Sequence, residues 1–132
     1  RNLRRHPCNA GEADSITFAA SELSCVLRDV KAIVTYTTSG LTTFLTARER
    51  PYLPILALTR DAEVARRLVL VWGVRPFINK ESFKSFDKVE DCAVKVVKDN
   101  NYAKPGDHII ITAGFPLNTK GRTNMLHTVK VS

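Results

Sequence analysis

Residues 32–50 read AIVTYTTSGLTTFLTARER. The opening run is apolar and β-branched, a composition that suits extended backbone. It breaks at Thr37, Thr38, Ser39 and Gly40, and a helical spacing carried by Leu41, Phe44, Leu45 and Arg48 starts at once. Pro51 and Pro54 halt that helix, since proline lacks the amide a helix interior needs. A strand that turns directly into a helix is half of an α/β unit. The flanking sequence decides whether the unit repeats.

It repeats in both directions. Upstream, Ile16, Ala19, Ala20, Leu23, Val26, Leu27 and Val30 recur at helical spacing, with Asp14 or Ser15 as the cap. Downstream, ILALT (55–59) is apolar on both faces, as a parallel strand covered on both sides should be. Asp61 can cap the next helix, whose inner face is Val64, Ala65, Leu68, Val71 and Trp72, and Gly73 is placed to end it. VRPFIN (74–79) is a third strand. Phe83 and Phe86 lead into a longer helix with Val89, Cys92, Ala93, Val96 and Val97 inward and Lys88, Asp91, Lys95, Lys98 and Asp99 outward. After the KPGD turn (104–107) come HIIITA (108–113) and MLHTVKV (125–131).

Alternating strands and helices predict an α/β class and a three-layer α/β/α sandwich around a mostly parallel five-stranded sheet, order 3-2-1-4-5. No helix separates the last two strands. A parallel crossover needs about a dozen residues or more, so the last strand is expected to be antiparallel. One domain over residues 1–132 accommodates all of this, with 1–13 as a linker or N-terminal extension. The chain starts at Arg1 and its one methionine is Met125, which suggests a piece of something longer or a processed product.

Composition narrows the classes. At 132 residues, with 44% hydrophobic and 25% charged residues, the chain resembles an ordinary soluble domain. No apolar run is long enough to span a bilayer, so no membrane partner is expected. Cys8, Cys25 and Cys92 are odd in number and lack CxxC spacing, and His6, His108 and His127 are scattered. A metal site or disulfide framework is therefore not expected, and a cytoplasmic setting is. The net charge of +7 comes from basic residues spread along the chain, without aromatic interleaving or a nucleic-acid-binding signature. No nucleic-acid partner is expected; an anionic small ligand is another use for the charge.

Two loops are suited to such an anion. In open α/β sheets, ligands bind beyond the carboxyl ends of strands where strand order reverses. The 37–42 loop offers the hydroxyls of Thr37, Thr38, Ser39 and Thr42, the small Gly40, and the amides of a helix N-terminus. The 114–124 loop offers Asn118, Thr119, Lys120, Gly121 and Arg122, whose cations can complete a phosphate shell. With order 3-2-1-4-5 the two loops flank one crevice. Hydroxyl residues before a helix are also ordinary caps, so the first loop alone reads more readily as a structural corner, and it is the two loops together that point to binding. Neither loop is a Walker or dinucleotide motif. No nucleophile elbow, Cys-His-Asn set or acidic Mg²⁺ cluster is present, and Asp87, Glu90 and Asp91 read as a solvated helix face. The residues point to binding, with no catalytic residue in this chain.

The stretches PILALTRDAEVARRLVLVWGVRPF (54–77) and KPGDHIIITAGFPLNTKGRTNMLHTVKV (104–131), with TYTTSGLT (35–42) in register with an effector loop, resemble the C-terminal domain of pyruvate kinases. The resemblance covers roughly residues 16–131. It implies an allosteric and oligomerisation domain of a homotetramer whose parent converts phosphoenolpyruvate and ADP to pyruvate and ATP in glycolysis. The parent's Mg²⁺ and K⁺ ligands would lie in a separate catalytic barrel, which leaves this chain inactive and without cofactors of its own. Thr37, Thr38, Ser39, Gly40 and Thr42 would cradle a sugar phosphate, with Asn118 to Arg122 closing over it. Leu41 stands where effector-responsive members often carry a basic or polar residue, and Arg122 where many carry a smaller one. A free-standing anion or sugar-phosphate module without kinase activity is the alternative.

Overall fold

A computed structural model describes residues 12–27, 29–37, 40–49, 51–79, 85–113 and 125–132. The elements are α1 (Glu12–Val26), β1 (Val30–Tyr36), α2 (Leu41–Arg48), β2 (Ile55–Thr59), α3 (Ala62–Leu68), β3 (Val74–Ile78), α4 (Phe86–Asp99), β4 (His108–Ala113) and β5 (Met125–Lys130). They build one five-stranded sheet in the order β3-β2-β1-β4-β5. β1 is parallel to β2 and to β4, and β2 to β3, while β5 runs antiparallel to β4. The expected α/β sandwich and strand order are what the chain forms.

Strand alternation divides the core between the two faces. Ala32, Val34 and Tyr36 of β1, Leu56 and Leu58 of β2, and Ile109 and Ile111 of β4 pack under α4, which contributes Val89, Ala93 and Val97. Full burial of a valine is worth about 1.5–3 kcal/mol, so this one helix covers its face firmly. Cys92 and Val96 also pack here, partly buried, as their spacing predicts. On the opposite face, Ala20 of α1 meets Ile33 and Ile110. Beside them, Val64 and Leu68 of α3 meet Ile55, Ala57 and Val74.

Three details depart from expectation. α1 already includes Glu12, so Asp14 and Ser15 lie within its first turn instead of ahead of it. Val30, expected on the first helix, opens β1 opposite His108, and Val26 is exposed. The Leu27 N–H bonds to the Leu23 C=O at the end of α1, and Val30 joins the sheet. Finally, α3 ends at Leu68. The Leu70 and Val71 amides bond back to Arg67 and Leu68, three residues behind, and this tighter turn shifts the angular register. Val71 stays half-buried while Trp72 swings out to solvent.

The ends of the strands are well tied. Gly73, at φ 81°, lets its carbonyl accept from the Ile55 amide at 3.0 Å, linking the starts of β2 and β3. Pro76 sits in β3, an edge strand, where the missing donor costs no central ladder bond. No helix among the described residues is long and apolar enough to cross a membrane.

Candidate functional site

β1 and β4 are adjacent and in register, Thr35 opposite Thr112. Thr37 and Ala113, from which the two sequence-predicted loops depart, therefore leave the same edge of the sheet. Of the predicted site residues, Thr37 and Gly40 are described in full, and Thr42 lies in the first turn of α2. Thr38, Ser39, Asn118, Thr119, Lys120, Gly121 and Arg122 lie outside the described residues.

Thr37 and Gly40 are brought together. The Thr37 hydroxyl oxygen accepts a hydrogen bond from the Gly40 amide at 2.8 Å, and the Thr37 amide donates to the Leu58 carbonyl at 2.9 Å. Gly40 caps α2 with φ 90° and ψ −10°, a left-handed conformation that L side chains resist. Its carbonyl accepts from the Phe44 amide at 3.0 Å, where the helical ladder begins. The amides of residues 41–43 are those that an α-helix does not use itself. Such amides favour negative charge at this end of α2.

The reason for glycine here differs from the one its sequence context suggests. Gly40 is buried, and a Cβ on it would stand 3.3 Å from Val64 Cγ1 and 3.5 Å from Phe44 Cε2. The position thus closes against α3 and the ring of Phe44, in addition to demanding a positive φ.

A seam of buried hydroxyls that sequence reading passed over runs beneath this corner. The Thr35 and Thr43 hydroxyl oxygens are 2.8 Å apart and hydrogen-bonded, tying β1 to α2. Thr17, Thr46, Thr59 and Thr112 are buried as well. Thr112 shares the face of Ile110 by alternation, and its Oγ1 has no hydrogen-bond partner among the described residues. The signal was present: period two in AIVTYT puts Thr35 and Thr37 on one face, away from Val34 and Tyr36.

The remaining candidates are structural. Asp61 caps α3 by accepting from the Glu63 amide at 2.8 Å, as its position predicts. His108 Nδ1 lies 2.7 Å from Asp29 Oδ2, an ion-pair distance without hydrogen-bond alignment. His127 meets Phe86 edge-on, with ring centroids 5.3 Å apart. Cys92 Sγ accepts from Asn79 Nδ2 at 3.0 Å. Among the described residues, no three His, Cys, Asp or Glu side chains are grouped to hold a metal ion.

Comparison with known proteins adds to this geometry. A family model described as "Pyruvate kinase, alpha/beta domain" matches residues 14–129. The pyruvate kinase of Agrobacterium vitis is 37% identical over 118 residues, covering 89% of this chain and 24% of that protein. That of Staphylococcus saprophyticus is 44% identical over 98 residues, 74% of this chain and 17% of that protein. A solved pyruvate kinase structure from Cryptosporidium parvum aligns with a TM-score of 0.84 at 26% identity, over 96% of this chain and 24% of that one. The chain spans about a quarter or less of the length of these relatives.

Proposed function

The chain belongs to the family of pyruvate kinase α/β domains, and from that premise we propose that it is the regulatory and subunit-interface domain of a pyruvate kinase, binding a sugar phosphate between the 37–42 and 114–124 loops. The parent enzyme transfers a phosphoryl group from phosphoenolpyruvate to ADP, giving pyruvate and ATP, as a cytoplasmic homotetramer. Its metal-dependent chemistry belongs to the catalytic barrel, so the 132 residues alone have no kinase activity.

The observation that carries the reading is the family match over residues 14–129, which includes the Thr37–Gly40 turn at the carboxyl end of β1. That turn supplies helix-terminal amides and hydroxyls, and the neighbouring loop adds Lys120 and Arg122 as cations. Together they suit a phosphate group, whose charge gains from both kinds of donor.

Calorimetry of the purified chain with fructose 1,6-bisphosphate and with fructose 6-phosphate tests the site. Ser39→Asp puts a carboxylate in the cradle and should abolish binding; Arg122→Ala should weaken it by about 1.5–3 kcal/mol, the worth of a hydrogen bond to a charged group. Gly40→Glu is a poor probe, because Gly40 is needed for packing. Unchanged binding in both Ser39→Asp and Arg122→Ala moves the site elsewhere. Pyruvate formation by the chain alone, followed with lactate dehydrogenase, would overturn the domain assignment.

A further inference from the structure

Thr112 is fully buried, and its Oγ1 has no hydrogen-bond partner among the described residues. A buried hydroxyl without a partner forfeits the bonds it would make to water, so its surroundings must account for it. Thr112 lies on β4, one residue before Ala113 ends the strand. Its register neighbours are Thr35 on β1 and Leu126 on β5. Leucine offers no polar atom. Thr35 does, and by strand alternation it shares with Thr112 the face of Ile33 and Ile110.

Thr35 is already engaged. Its hydroxyl oxygen bonds that of Thr43 at 2.8 Å, fixing the first turn of α2 to β1, and either atom can be the donor. A threonine hydroxyl carries one proton and two lone pairs, and rotation about χ1 aims it afresh. Neighbouring strands stand about 4.8 Å apart, so in-register hydroxyls on one face come within reach of each other after such a rotation. The exchange is one for one. If Thr35 turns from Thr43 to Thr112, then Thr112 gains the partner that Thr43 loses. One of the three hydroxyls is unpaired in either arrangement, so the two states lie close in free energy, as a two-state element requires.

We infer that Thr35, Thr43 and Thr112 form a hydrogen-bond switch. In one state Thr35 bonds Thr43 and holds the first turn of α2 against β1; in the other it bonds Thr112 and releases that turn. The swap takes place directly beneath the Thr37–Gly40 corner, between the stems of the two loops. The amides of residues 41–43 keep one arrangement only while the turn is held. An anion bonded to them therefore favours the Thr43-bonded state, and its binding shifts the population by that difference in affinity. This use of the switch rests on the proposed anion site; the switch itself does not.

Methyl relaxation dispersion on the 132-residue chain without ligand tests the switch, with the Cγ2 methyls of the three threonines as probes. A rotation coupled to release of a helical turn should exchange on the microsecond-to-millisecond timescale, at one shared rate for Thr35, Thr43 and Thr112. Thr112→Val removes the second partner and should abolish the exchange at Thr35 and Thr43. Thr112→Ser keeps the hydroxyl and should retain it. Absence of exchange at Thr35 overturns the switch and leaves Thr112 to a fixed partner such as an internal water. Exchange that survives in Thr112→Val also overturns it, since another motion is then the cause. Exchange confined to Thr112 does the same, because Thr43 then never lets go. Saturating fructose 1,6-bisphosphate should reduce the exchange contribution at Thr35 at least fivefold. If Thr112-dependent exchange is present and the sugar phosphate leaves it unchanged, the switch stands and the anion site fails.

Discussion

The Gly40 amide and the Thr37 hydroxyl, 2.8 Å apart, lock the corner between β1 and α2 from within. Thr37 is buried, so this bond holds the turn's shape whether or not an anion is present. Thr37→Val leaves the Gly40 amide without its acceptor and should cost about 1–3 kcal/mol, the usual result of orphaning a buried donor. Thr37→Ser keeps the acceptor and should cost clearly less. Urea unfolding of the pair checks this, and equal losses would mean that the methyl, and not the hydroxyl, matters.

Gly40→Ala should destabilise the domain by about 1–3 kcal/mol, since it forces a side chain into a left-handed conformation. Contact with Val64 Cγ1 adds to the strain. The expected signature is a lower urea midpoint with an unchanged slope. A variant as stable as the parent would mean that α3 gives way freely.

The Thr35–Thr43 bond invites a double-mutant cycle, because both hydroxyls are buried and each satisfies the other. Either single change to valine leaves one buried hydroxyl unpaired, at about 1–3 kcal/mol. The double variant removes both and should be no less stable than the worse single one. Simple additivity of the two losses would show that the bond contributes no coupling.

Trp72→Glu should change the stability of the isolated chain by no more than about 0.5 kcal/mol, the usual range for surface positions. The side chain is exposed and lies beyond the end of α3. A loss of several degrees in melting temperature would show that Trp72 supports the fold itself.

Much of this architecture is local in origin and was readable as such. The strand ILALT announces burial on both faces, and all of it is buried. The face of α4 follows from helical spacing, and Asp61 acts as the cap its position foretold. Val30 and Trp72 both departed from the helical reading. Helical spacing continues through both positions on paper, yet Val30 pairs in the sheet opposite His108, and the turn after Leu68 tightens through bonds to residues three behind. The candidate site was legible as residue types on one sheet edge. The shared face of Thr35 and Thr37 was legible in the period of β1, but the pairing of Thr35 with Thr43 was not, because the two belong to different elements and meet only when α2 lies back across β1.

By itself the sequence determined the alternation of strands and helices, the antiparallel last strand and the turn at Gly40. Hydrophobic period, loop length and turn chemistry are properties of neighbouring residues. Tertiary structure decided what a side chain at residue 40 would press against, which threonines pair, and that Trp72 faces outward. Those depend on α3 reaching Gly40 through Val64 and Leu68, and on a tightened turn aiming Trp72 away from the core. Packing between elements distant in the chain set them, and no window of local sequence contains that information.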